Sequence, residues 1–203
     1  PTPRHAAIAI LVFWALAASA QTTGPVVLAG LRGLRIDKTE VTIAQFARYA
    51  RATGTTTRAE REGGGFEYVG GWQRRAGWTW QRPDGSPPDT DQLPAVHLTH
   101  AEAEAYCQWA GGRLPTAAEW RTAGFTELRS QPPTPWVRGT TYPWTTGHSP
   151  QGANTSDPDP WPRAAPVNAT AAGVNGLHDM GANVWEWADP GGIPPRKCAR
   201  MSR

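Results

Sequence analysis

Cysteine is scarce: the 203 residues hold two, Cys107 and Cys198. No disulfide framework can staple such a chain, so its core must come from apolar packing. Long apolar runs are also missing. The longest, residues 6–17, is about a dozen long, short of the roughly 20 that cross a bilayer as a helix. The sequence has no Gly-x-Ser-x-Gly elbow, no P-loop, and no Gly-x-Gly-x-x-Gly behind a strand pattern. Hydrolase, nucleotidase and dinucleotide-binding chemistry therefore have no local support. Basic clusters are missing from the body of the chain. Residues 21–189 carry 15 Lys and Arg against 17 Asp and Glu, and the formal charge of +3 comes from Arg4 and the tail residues Arg196, Lys197, Arg200 and Arg203. Without a basic stripe to grip phosphates, nucleic acid is excluded as a partner. No internal repeat is found, which removes solenoids and propellers.

What is present points to a loop-rich globular domain. At 39% hydrophobic and 18% charged the chain can form one core of ordinary size. Its 22 glycines and 20 prolines break up long helices, and 11 tryptophans supply bulk in place of aliphatic side chains. Residues 1–20 read as an export signal: Arg4 and His5, then the apolar run, then Ala18-Ser19-Ala20 as a cleavage site. The expected organisation is a signal peptide at 1–20, one domain at 21–189 and a basic tail at 190–203. The mature chain is exported, periplasmic or secreted, and has no membrane span once the signal is cleaved.

Three capping boxes place three helices, each a Thr followed three residues later by Gln or Glu. Thr42 with Gln45 opens the first, with Ile43, Phe46, Ala47 and Ala50 on one face and Gly54 as its stop. Thr99 with Glu102 opens the second, carrying Ala103, Tyr106, Cys107 and Ala110 to the Gly111-Gly112 stop. Thr116 with Glu119 opens a shorter third anchored by Trp120. Short strands are expected at Leu34–Ile36 and at residues 95–98. Residues 126–175 are dense in Pro, Gly, Thr, Asn and Asp, yet Trp136, Trp144 and Trp161 lie among them. Disordered segments are poor in aromatics, so ordered irregular loops are expected, and such loops need fastening.

Four stretches resemble the formylglycine-generating enzyme family, or sulfatase-modifying factors. They are Lys38-Thr39-Glu40-Val41-Thr42; Ala105-Tyr106-Cys107-Gln108-Trp109-Ala110-Gly111-Gly112-Arg113-Leu114-Pro115-Thr116-Ala117-Ala118-Glu119-Trp120; Tyr142-Pro143-Trp144; and Gly176-Leu177-His178-Asp179-Met180-Gly181-Ala182-Asn183-Val184-Trp185-Glu186-Trp187. The second and fourth are the specific ones. The resemblance implies an α+β domain of modified C-type-lectin-like fold, low in regular secondary structure and stabilised by calcium. It implies an activity too: oxidation of a cysteine in an extended Cys-x-Pro-x-Arg segment of a sulfatase, with oxygen and copper. Other members are iron-dependent sulfoxide synthases, pigment-maturation proteins or domains without known chemistry, and fold alone does not choose among them.

Residue chemistry favours calcium. Asp179 and Glu186 flank a loop made pliable by Gly181, so two carboxylates and intervening carbonyls can surround a hard cation. By resemblance the ligands of this site are the Asp179 and Glu186 side chains with the carbonyls of Ala182 and Val184, although Ala182 stands where relatives usually carry Gly. A second site is implied at the Asn154 and Asp159 side chains with the carbonyls of Thr155 and Trp161. Asx-turns are the alternative use of those Asn and Asp residues. Copper is not expected. The family's catalytic cysteine pair and Arg-Gly-Gly-Ser-Trp block lie downstream of the Trp-Glu-Trp motif, and residues 190–203 match neither. Catalysis is therefore expected to be lost, leaving a non-catalytic, calcium-stabilised module that binds peptide or glycan as the alternative function. Three bland readings complete the expectations. His97 and His100 form a solvent-facing pair rather than metal ligands. Glu60 and Glu62 belong to an exposed charge cluster with Arg58 and Arg61. Trp72, Trp78 and Trp80 fill core rather than line a groove.

Overall fold

The computed structural model describes residues 25–28, 31, 34–155 and 160–189, with the backbone of 201–202. Helix and strand are mixed, with long turn-rich stretches between them. Strands β1 (Val26–Leu28) and β2 (Leu34–Ile36) pair antiparallel. The short β5 (Gly112–Arg113) joins their sheet through β6 (Met201–Ser202) in the order β1-β2-β6-β5. A separate antiparallel hairpin is formed by β3 (Gly64–Tyr68) and β4 (Trp72–Ala76). The helices are α1 (Ile43–Thr53), α2 (Arg58–Arg61), α3 (His100–Trp109) and α4 (Ala117–Phe125). None is long and apolar enough to cross a membrane. The expected export signal lies outside the described residues.

All three expected capping boxes form, because each Thr hydroxyl and each Gln or Glu side chain satisfies an amide that the first helical turn leaves without a partner. Thr42 accepts from the Gln45 amide at 3.1 Å and Gln45 returns an acceptor to the Thr42 amide at 2.8 Å. Thr99 with Glu102 and Thr116 with Glu119 repeat the exchange. A fourth box, Thr57 with Glu60, opens α2 and corrects the reading of Glu60 as part of an exposed cluster. One oxygen of Glu60 accepts from the Thr57 amide, the Thr57 hydroxyl and the Trp80 indole N–H at 2.7, 2.7 and 3.1 Å. Glu62 does stay outside, paired with Arg58 at i,i+4.

Residues 95–98 are not a strand. A single bridge joins Thr42 to Pro94, the Ala95 amide donates to Val41 O, and His97 then takes a left-handed φ of 59° that ends any ladder. Both histidines are half-buried, which overturns the solvent-facing reading. His97 bonds Pro83 O at 2.8 Å, and burial holds its imidazole below the usual value. The His97 ring presses so closely on Gly65 that a Cβ there would collide with it, which explains why glycine stands at this point of β3. His100 meets Trp187 edge-on.

Two apolar clusters make the interior. In the first, Phe46 and Tyr49 of α1 meet Tyr106 of α3 and Trp80, with Phe46 5.1 Å from Trp80 and 5.7 Å from Tyr106 between ring centroids. Cys107 is fully enclosed there, as its place on the apolar face of α3 implies. The second joins Leu28 and Ile36 of the sheet to Trp120, Ala123, Leu177 and Met180. Of the three tryptophans expected in the core only Trp80 is there. Trp78 is half-buried under the Arg163 guanidinium, and Trp72 is exposed.

Candidate functional site

The segment 179–187 is shaped by left-handed residues: Asp179 at φ 55°, Gly181 at 76° and Asn183 at 59°. Gly takes such angles at no steric cost, and Asn and Asp are the side-chain-bearing residues that tolerate them best. The turn closes with the Ala182 amide donating to Asp179 O at 2.9 Å. Beyond it the chain extends, and alternation takes over. Trp185 and Trp187 are 49% and 38% exposed, while Glu186 between them is 4% exposed and points inward. The Glu186 carboxylate there accepts the indole N–H of Trp120. The outer edge of the same indole lies under Gly181, so one α4 side chain underlies both ends of the segment. Met180 packs beside it in the second core cluster.

Asp179 is buried and accepts the Thr170 hydroxyl at 2.6 Å on Oδ2. The segment thus holds two buried carboxylates, Asp179 accepting from the Thr170 hydroxyl and Glu186 from the Trp120 indole. Ala182 and Val184 are half-buried between them. Among the described residues no three His, Cys, Asp or Glu side chains gather. Two carboxylates assisted by main-chain carbonyls are nevertheless a set that hard cations use.

Of the second expected ligand set, Asn154 is buried, Thr155 exposed and Trp161 half-buried, and Asp159 lies outside the described residues. Asn154 Nδ2 donates to Arg163 O at 2.8 Å and to Asn183 Oδ1 at 2.9 Å, while Asn154 O accepts from the Asn183 amide at 2.8 Å. The two expected sites are therefore neighbours joined through Asn183. Thr155, Trp161 and Thr170 share the wall of a cavity of about 470 Å³, and Thr170 carries its contact through to Asp179.

Asn183 and Glu40 are the residues that sequence reasoning passed over. Asn183 Nδ2 donates to Glu40 Oε1 at 2.8 Å and to Ala165 O at 3.2 Å, and its Oδ1 accepts the Ala165 amide at 2.7 Å besides Asn154. One amide thereby ties together segments more than a hundred positions apart in the chain. The only local signal was an Asn in a Gly-rich turn, which as readily marks an ordinary bend.

Comparison with known proteins bears on this arrangement. The profile of the sulfatase-modifying factor enzyme 1-like domain matches residues 14–190. The formylglycine-generating enzyme of Thermomonospora curvata is 32% identical over 199 residues, covering 81% of this chain and 62% of that enzyme. The mouse inactive C-alpha-formylglycine-generating enzyme 2 is 29% identical, covering 81% and 60%. The chain thus spans about three fifths of the length of these relatives. Among solved structures, PvdO from Pseudomonas aeruginosa superposes with a TM-score of 0.54 at 20% identity, covering 84% of this chain and 63% of PvdO, a likeness of fold alone.

Proposed function

The chain belongs to the sulfatase-modifying factor enzyme family, and from that premise we propose that it is an exported, formylglycine-generating-enzyme-like domain whose loops are clamped by calcium and whose partner is an extended peptide. The Cys-x-Pro-x-Arg segment of a sulfatase is the first candidate for that peptide. The modified C-type-lectin-like architecture is part of the same reading, supported by the low content of regular structure. The observation that carries it is the segment 179–186, where Asp179 on the turn and Glu186 on the extended stretch beyond it are both buried, with the Trp120 indole bonded to Glu186 and lying under Gly181. Asp179 and Glu186 side chains with the Ala182 and Val184 carbonyls would hold the ion. Asn154, Thr155, Asp159 and Trp161 would supply a second site. Calcium has no redox chemistry of its own, and its contribution is to cross-link loops that have little ladder hydrogen bonding.

Copper does not fit this sequence. A copper dithiolate needs two soft sulfur ligands brought together. Cys107 is fully enclosed among Phe46, Tyr106 and Leu114 in the first core cluster, which leaves Cys198 alone. No oxidative step is therefore assigned to these 203 residues. A non-catalytic, peptide- or glycan-holding role is the second reading, since the relatives include both a formylglycine-generating enzyme and a protein named inactive.

Two measurements test the proposal. Saturating calcium at about 100 times Kd is expected to add about 2.7 kcal/mol of stability, seen as a higher melting temperature that a chelator reverses. Asp179→Asn and Glu186→Gln should abolish the rise, and a melt indifferent to calcium would overturn the clamp. Separately, a Cys-x-Pro-x-Arg peptide incubated with the protein, copper and oxygen should keep its mass. A loss of about 18 mass units, the signature of thiol-to-aldehyde conversion, would restore the oxidase reading.

A further inference from the structure

Of the four asparagines in the chain, Asn175 alone is followed by glycine. In a flexible chain that pair is reactive, because a following residue without a Cβ lets its main-chain nitrogen reach the side-chain carbonyl carbon. The Gly176 nitrogen bonds to Asn175 Cγ, and ammonia leaves to give a five-membered cyclic imide. Water then opens the imide at either carbonyl, to aspartate or to isoaspartate. One water is consumed, one ammonia is released, and nothing is oxidised or reduced.

The fold holds this pair away from the reaction. Asn175 is 1% exposed and sits at a left-handed φ of 58° in the turn Val174–Gly176. Its Nδ2 donates to Ala123 O at 2.7 Å and to Thr126 O at 2.8 Å, and its Oδ1 accepts the Leu128 amide at 2.7 Å. The attacking nitrogen is engaged as well, since the Gly176 amide donates to Gly173 O at 2.9 Å. Bringing Cγ onto that nitrogen breaks all three side-chain bonds to the end of α4 and the residues after it. A stretch that has opened locally carries none of these restraints.

The product does not fit the place that the asparagine leaves. An aspartate has only acceptors to offer at neutral pH, so an oxygen would face Ala123 O and Thr126 O where two N–H groups stood. It also sets a second carboxylate beside Glu127, whose Oε2 accepts the Asn175 amide at 3.1 Å. Isoaspartate adds a carbon to the main chain inside a turn closed by the Gly173 amide on Leu177 O at 2.8 Å.

We propose that Asn175-Gly176 is a self-modifying site, with water as its only co-reactant, that makes opening of the turn before Asp179 irreversible. While the turn is closed the asparagine survives. Once it stays open the asparagine is converted, and the converted chain cannot rebuild the contacts that protected it. The inference rests neither on calcium nor on a sulfatase partner.

The test follows the full chain by mass spectrometry and circular dichroism in mildly alkaline buffer, with and without urea. In urea Asn175 should gain about 1 mass unit ahead of the other asparagines, with peptide fragmentation placing the change, and the folded chain should gain it about a hundredfold more slowly. Chain diluted out of urea at once should regain its native spectrum, and recovery should fall in step with the mass gain at Asn175. Asn175→Asp makes the product without any exposure to urea, and it should melt at least about 10 °C below the parent or show no native signal at all. Equal rates with and without urea, native recovery by the modified fraction, or a parent-like melt of Asn175→Asp would each overturn the proposal.

Discussion

Asn183→Ala is expected to cost about 3–5 kcal/mol of folding free energy and to lower the melting temperature by roughly 10 °C, with effects of this size following from the groups it strands. The Asn183 amide makes four hydrogen bonds, to Glu40, Ala165 O, the Ala165 amide and Asn154. Glu40 and Asn154 are buried, so their polar atoms cannot turn to bulk water once the amide is gone. Each buried group left in that state costs about 1–3 kcal/mol. Alanine at φ 59° adds about 1 kcal/mol of backbone strain. Asn183→Gly separates the two contributions, since it relieves the strain and keeps the stranded groups. Asn183→Asp, nearly the same shape, sets a carboxylate oxygen against Glu40 and should recover stability as pH falls through the carboxylate range. A melt of Asn183→Ala within about 1 kcal/mol of the parent would show that the four bonds carry no weight.

Glu127→Ala is expected to destabilise by about 3–5 kcal/mol, the usual result of removing one partner from a buried ion pair. Glu127 is fully buried. Its carboxylate accepts Arg129 Nε and a terminal guanidinium N–H at 2.8 and 2.6 Å, the Arg129 amide at 3.0 Å and the Asn175 amide at 3.1 Å. Asn175, left-handed at φ 58°, bonds back to Ala123 O, Thr126 O and the Leu128 amide, so the pair pins the end of α4 to the turn before Asp179. A double variant, Glu127→Leu with Arg129→Met, should cost less than Glu127→Ala, because it strands no charge.

Acid lability follows from the same group. Burial alone would raise the Glu127 carboxyl, but the Arg129 guanidinium with the Arg129 and Asn175 amides outweighs it and holds the group below the ordinary 4.5. Glu119, bound by the Arg113 fork at 2.7 and 2.8 Å, is pulled down to about 2. Between a lowered folded value and 4.5 the unfolded chain binds more protons. This stability is therefore complete above 4.5 and is lost as pH falls towards the folded values. Melting temperature against pH should drop through that window, and Glu127→Gln should flatten the slope. An equal slope in both proteins would remove Glu127 from the account.

The helices could be read before any coordinates because their signals are local. Thr42, Thr99 and Thr116 each need only a side chain three residues on, and all three boxes formed. Thr57 with Glu60 carries the same signal, but the arginines around it read as a charged surface, and only the arrival of Trp80 on Glu60 brings that carboxylate inward. The strand expected at residues 95–98 failed for the opposite reason. The bridge from Thr42 reaches Pro94, just before the stretch, and among the described residues no strand pairs with 95–98 to extend a ladder. The hairpin β3–β4 carries glycines where strands usually carry β-branched residues, and was missed on that account.

Local grammar and family kinship, then, were written into the order of residues: the caps, the enclosed Cys107, and the Trp-Glu-Trp segment with its alternating inward acid. Tertiary structure alone decided that Asn183 would join Glu40, Ala165 and Asn154, and that Trp185 would meet Tyr68 and Trp72 rather than a core. The reason is physical. A cap or an alternating strand is set by bonds reaching three or four residues, whereas these contacts close loops that run from 18 residues, for Ala165, to 143, for Glu40, and nothing near Asn183 or Trp72 in the chain records what will be folded against it.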